Sequence, residues 1–134
     1  MNSKLNYKAV VLFFLIIITT SQISCKNKEI IKPVAQFENK INFGKIKYGH
    51  KLIKTFNIKN TSNENIRIYD IKSSCGCTVP KINDSLILPN ATKKIDVEYS
   101  PKEQDIGQVN QTVIIKANTE PSFLVLYLEG EVTR

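Results

Sequence analysis

From Lys51 onward the chain alternates apolar and polar residues in short runs, each closed by turn-forming residues. KKIDVEYS, Lys93–Ser100, sets Ile95, Val97 and Tyr99 against Lys94, Asp96 and Glu98. Successive strand side chains point to opposite faces, so this pattern describes a strand with one buried face. Leu52, Phe56 and Ile58 share a face in the same way. So do Ile66 and Ile68 after the turn-rich Thr61–Asn65, and Val113, Ile115 and Ala117 after Gly107. SLIL, Ser85–Leu88, is a short apolar run stopped by Pro89-Asn90. In FLVLYLEGEV both faces are apolar, Leu124, Leu126 and Leu128 against Phe123, Val125 and Tyr127, which predicts an internal strand. No window of useful length carries a 3.6-residue period, so helical folds are excluded. About seven short strands with regularly spaced turns predict an all-β, immunoglobulin-like β-sandwich. There is no Trp and no widely spaced cysteine pair, so an antibody-like domain with an inter-sheet disulfide is excluded.

The start of the chain has a different logic. MNSKLNYK carries Lys4 and Lys8 and no acid, Ala9–Ile18 is an unbroken apolar run, and TTSQIS restores polarity. That order is the one of a secretory signal. Ten apolar residues reach roughly 15 Å as a helix, about half of a hydrocarbon core, so the run suits export better than a permanent span. QISC, Gln22–Cys25, resembles the lipobox of bacterial lipoproteins, with Gln22 departing from the usual Leu. Cys25 is therefore the expected diacylated N-terminus, and two or more acyl chains anchor stably where one does not. The expected organisation is a lipoprotein signal peptide in residues 1–24, the lipidated cysteine and a tether in 25–35, and one sandwich domain in 36–134. The tether holds the domain within about 35 Å of its membrane.

Charge adds an exclusion. Two of the 19 basic residues leave with the leader and none of the 12 acids does, so the net charge falls from +7 to +5. The remaining lysines are scattered through runs and turns, with no arginine cluster and no interleaved aromatic platform, which argues against a nucleic-acid partner.

INFGKIKYG, TFNIKNTSNENIRI, IKSSCGCTVP, KKIDVEYSP and LYLEGEV together resemble the bacterial family called Domain of Unknown Function 1573. The resemblance runs from Phe37 to Val132, and its most specific element is SSCGCT, Ser73–Thr78. The turn elements Phe43-Gly44 and Gly49, and the closing Leu128-Glu129-Gly130, match as well. It implies a fold similar to the immunoglobulin-like modules of cilia- and sperm-type structural proteins, and a place among exported lipoproteins of Bacteroidetes. It assigns no catalytic role.

Any chemistry must pass through Cys75 and Cys77. In an extended strand their Cα atoms would lie about 6.6 Å apart on one face, near the upper limit for a disulfide, and a bend at Gly76 would bring them closer. Three readings stay open: a labile disulfide or thiol-exchange site, a Cu(I) site on two soft thiolates, and a packing role for two small apolar residues. Zinc would need four ligands, and only His50 and carboxylates are left to complete the set. A thioredoxin-like enzyme is disfavoured, because its C-x-x-C opens a helix in an α/β fold. Ser73 and Ser74 lack a nucleophile elbow, and Asp96 and Glu98 do not form a paired-carboxylate arrangement. The expected function is thus that of a non-enzymatic, membrane-anchored interaction module on the periplasmic side of the outer membrane. It would bind an envelope protein and hold no resident cofactor. The alternative is a thiol-based protein, exchanging disulfides or binding Cu(I) through Cys75 and Cys77.

Overall fold

The computed structural model describes residues 31–134. The expected signal peptide, Cys25 and the first part of the tether lie outside the described residues.

Nine strands follow one another: β1 (Ala35–Phe37), β2 (Lys40–Lys47), β3 (Leu52–Asn60), β4 (Ile66–Ser73), β5 (Thr78–Lys81), β6 (Leu86–Ile87), β7 (Thr92–Tyr99), β8 (Gly107–Ala117) and β9 (Phe123–Thr133). A 3-10 turn at Glu103–Asp105 is the one helical element among the described residues. The strands form a four-stranded sheet, β1-β3-β7-β5, and a five-stranded sheet, β2-β9-β8-β4-β6. Every pairing is antiparallel except that of β2 with β9.

The alternation read from the sequence sets the two inner faces. Phe56, Ile58, Ile95, Val97 and Tyr99 of the smaller sheet pack against Ile66, Ile68, Val113, Ile115, Leu124, Leu126 and Leu128 of the larger one. Each such side chain contributes about 1.5–3 kcal/mol by leaving water, which fixes the register of every strand that carries one. β9 lies between β2 and β8, as its two apolar faces predict.

β2 departs from the sequence reading. Phe43-Gly44 forms no turn between strands but sits inside β2, where the register against β9 shifts between Asn42 and Lys45. Gly44 has φ +77°, and its N–H donates to Asn42 Oδ1 at 2.7 Å. A left-handed glycine inside a strand makes a bulge. Gly49, with φ +78°, does lie in the turn between β2 and β3.

Along one side of the sandwich the chain passes between the sheets twice in quick succession. It leaves the larger sheet at Ser73, reaches β5 of the smaller sheet at Thr78, and returns through Ile82–Ser85 to pair β6 with β4. These crossings place the candidate site.

Candidate functional site

The first crossing is the cysteine pair itself. A disulfide joins Cys75 and Cys77 with their Cα atoms 5.3 Å apart, closer than an extended strand would hold them. The turn is fixed by backbone bonds on either side: Thr78 N–H donates to the Cys75 carbonyl at 3.3 Å and Ser100 N–H to the Cys77 carbonyl at 2.9 Å. The Ser73 hydroxyl donates to the Cys75 carbonyl at 3.0 Å. Ser74 is tied to β8, its N–H donating to the Thr112 carbonyl at 2.8 Å, its hydroxyl pairing with Gln111 Oε1 at 3.0 Å. Cys77 packs on the core, Cys75 Sγ lies 3.4 Å from the hydroxyl of buried Thr78, and both cysteines are half-buried. The bend needs no left-handed glycine. Gly76 is outside the positive-φ region, and a Cβ built on it would meet open space.

Below this corner a cleft of about 310 Å³ opens between the sheets, lined by Ile68, Tyr69, Asp70, Ile71, Pro80, Ile82 and Ser85. Its volume is at the lower end for ligand pockets. Its walls are unequal as recognition surfaces. β5 is an edge strand containing Pro80, which has no N–H to offer. β5 is also braced from within its sheet, where Glu98 on β7 pairs with Lys81 at 2.8 Å and with Lys51 at 3.1 Å. Both lysines hold the Glu98 carboxyl below its ordinary pKa. The β4 wall is open. β6 pairs only with Ile66 and Arg67, and Ile68 N–H donates to the Ser85 carbonyl at 2.8 Å. Beyond Ile68 no strand pairs with that edge of β4 among the described residues.

The other expected site residues fall as follows. His50 is exposed in the turn after β2, and Asp96 and Glu98 lie on one outer face at separate pairings rather than converging. Among the described residues no group of three or more histidines, cysteines or acids gathers in metal-binding proximity. With both sulfurs in a disulfide, Cu(I) would find thiolates only after reduction. The sequence reading named the cysteines but not Ile71 and Ile82. Only the two crossings bring these residues together, and no local pattern signals that.

Comparison with known proteins bears on the fold. The family model described as "Protein of unknown function (DUF1573)" matches residues 35–132. No curated protein sequence matches the chain. Among solved structures, a protein of unknown function from Porphyromonas gingivalis W83 is similar with TM-score 0.68 and 12% identity, over 75% of this chain and 47% of that one. The chain thus spans about half the length of that relative. The ASH/PapD-like domain 7 of human CEP192 is similar with TM-score 0.63 and 12% identity, over 77% of this chain and 87% of that one. The secreted serine protease VesC of Vibrio cholerae is similar with TM-score 0.58 and 13% identity, over 73% of this chain but 23% of the protease. At such identities the likeness concerns the fold alone: an immunoglobulin-like sandwich of PapD-like type.

Proposed function

The chain belongs to the DUF1573 family of proteins of unknown function, and from that premise we propose that it is a non-enzymatic envelope lipoprotein, anchored through Cys25, whose sandwich binds a protein partner. The β4 edge carries this reading. An edge strand with free N–H and C=O groups is a template for an added strand, and alternate pockets beside it select the incoming side chains. Here the edge runs beside a cleft with Ile68, Ile71 and Ile82 in its walls, while Pro80 blunts the opposite edge. An extended segment with one or two apolar side chains is the partner such a site fits. The charged outer faces serve solubility.

The test is a photo-reactive residue at Tyr69, on the open edge, in the anchored protein of the native host. A discrete adduct from position 69, and none from Asn57 on the outer face of the smaller sheet, is the expected result. Equal or absent adducts at both positions would refute it.

A second reading is favoured by one observation, the half-exposed disulfide at the crossing. In it a partner's dithiol is oxidised to a disulfide while Cys75–Cys77 is reduced to two thiols, two electrons and two protons passing between them. Serine at both positions separates the readings, since binding survives the exchange of sulfur for oxygen and thiol exchange does not.

A further inference from the structure

We infer that the end of the sandwich where the chain enters rests against the bilayer interface, with Ile31, Val34, Leu88 and Phe123 facing the lipid. This rests on the anchor reading for its geometry, and the experiment below separates the two. These four are large apolar residues left in the open, with 79%, 51%, 54% and 55% of their surface exposed. All belong to segments that meet at one end. The Pro33 carbonyl accepts from Glu120 N–H at 3.1 Å, in the turn that leads to Phe123. The Val34 carbonyl accepts from Thr61 N–H at 3.1 Å, and Thr61 follows Asn60, whose N–H donates to the Ala91 carbonyl in the turn that carries Leu88. Pro33 and Val34 are therefore held on the domain rather than left on a loose tether, Lys32 adds an ion pair with Glu120 at 2.9 Å, and Ile31 directly precedes them.

The occupant follows from the chain that leads here. Cys25 precedes Ile31 by six residues, a reach of at most about 21 Å. A lipid-anchored Cys25 thus keeps this end, and not the opposite one, beside the headgroups. β9 alone separates the two ends by roughly 33 Å. Phe123 stands opposite Lys116 in the β8–β9 pairing, so an aromatic ring at the boundary has a cation beside it that can reach lipid phosphates. Among the described residues the acids near this end include Glu64, Asp84 and Glu120, and the last two are engaged by Lys93 and Lys32.

The protein contains no Trp, so a single introduced Trp reports its own surroundings. Phe123→Trp and Leu88→Trp report this end. Tyr48→Trp, at an exposed position beside Thr133 on the far end, is the control. The full chain is expressed in a lipoprotein-processing host and reconstituted into phosphatidylethanolamine–phosphatidylglycerol vesicles with brominated acyl chains. Emission from positions 123 and 88 should fall by at least about twofold while that from position 48 is unchanged. Intact mass reports separately whether Cys25 carries its acyl groups. Acylated protein with no quenching at 123 or 88 overturns the inference. If Cys25 is not acylated, the anchor reading fails, and the surface is judged on vesicles added to the same protein: quenching at 123 and 88 upholds it, and none overturns it.

Discussion

The ring of Phe43 fills the space that a side chain on Gly130 would need. Phe43 belongs to the bulged part of β2 and Gly130 to β9, so the pair keys the first long strand to the last. The same ring lies 5.8 Å from that of Tyr99, in the opposite sheet. Gly130→Ala should therefore cost about 1–3 kcal/mol by overpacking. Adding Phe43→Leu should recover part of that cost in a double-mutant cycle read by urea unfolding. A neutral Gly130→Ala would mean the ring is free to move and the keying is not real.

Asn60 ties three segments together from a buried position. Its amide nitrogen donates to the carbonyls of Glu64 and Ile87 at 2.8 and 3.0 Å, and its oxygen accepts from the Ser62 N–H and hydroxyl at 3.0 and 2.7 Å. Removing it leaves the buried Ile87 carbonyl without this donor. Asn60→Ala should lose about 2–3 kcal/mol in chemical denaturation, and Asn60→Asp should not restore it, because a carboxylate cannot donate. Full stability in Asn60→Asp would contradict this.

Tyr99 is buried, and among the described residues its hydroxyl makes no well-formed hydrogen bond. Burial raises its pKa, the charge of Asp105 adds to the rise, and the neighbouring Gln111 amide works the other way. Because the folded phenol resists ionising, stability is fully present below the unfolded pKa of about 10 and is lost as pH climbs from there through the raised folded value. Tyr99→Phe should be neutral or gain up to about 1 kcal/mol at pH 7, and should flatten that alkaline loss. Thermal melts at pH 7 and above pH 10 decide it. An unchanged alkaline slope would place the titration elsewhere.

The Cys75–Cys77 link closes a very short loop, so its entropic contribution is small. Reduction, or serine at both positions, should cost roughly 1–2 kcal/mol and leave the sandwich folded. Gly76→Ala should change stability by less than about 0.5 kcal/mol and leave the bridge intact, since the added methyl meets open space. Loss of cooperative unfolding on reduction would instead make the corner a structural staple. Intact mass and thiol alkylation, before and after reductant, accompany each melt.

Much of the core was legible in the sequence because it is local. The alternation at Ile95, Val97 and Tyr99 needs only a period of two, and the two apolar faces of Phe123–Val132 already say internal strand. What escaped is long-range. The parallel pairing of β2 with β9 joins residues some ninety positions apart, as in Lys40 with Tyr127. Phe43-Gly44 reads as a turn because the glycine signal is the same for a turn and a bulge. Ile71 and Ile82 read as ordinary apolar residues until the crossings set them across one cleft. Gly76 is the converse case: the sequence suggested a glycine needed for its backbone freedom, and the structure asks nothing of it.

On the reading proposed above, the domain works by binding at the β4 edge and not by thiol chemistry. The most direct measurement is the photo-adduct formed from position 69 in the native envelope, compared between the wild-type chain and Cys75→Ser/Cys77→Ser. One protein adduct of the same mass and comparable yield is expected in both. Loss of the adduct from a serine variant that still unfolds cooperatively would contradict it and place the function in the disulfide.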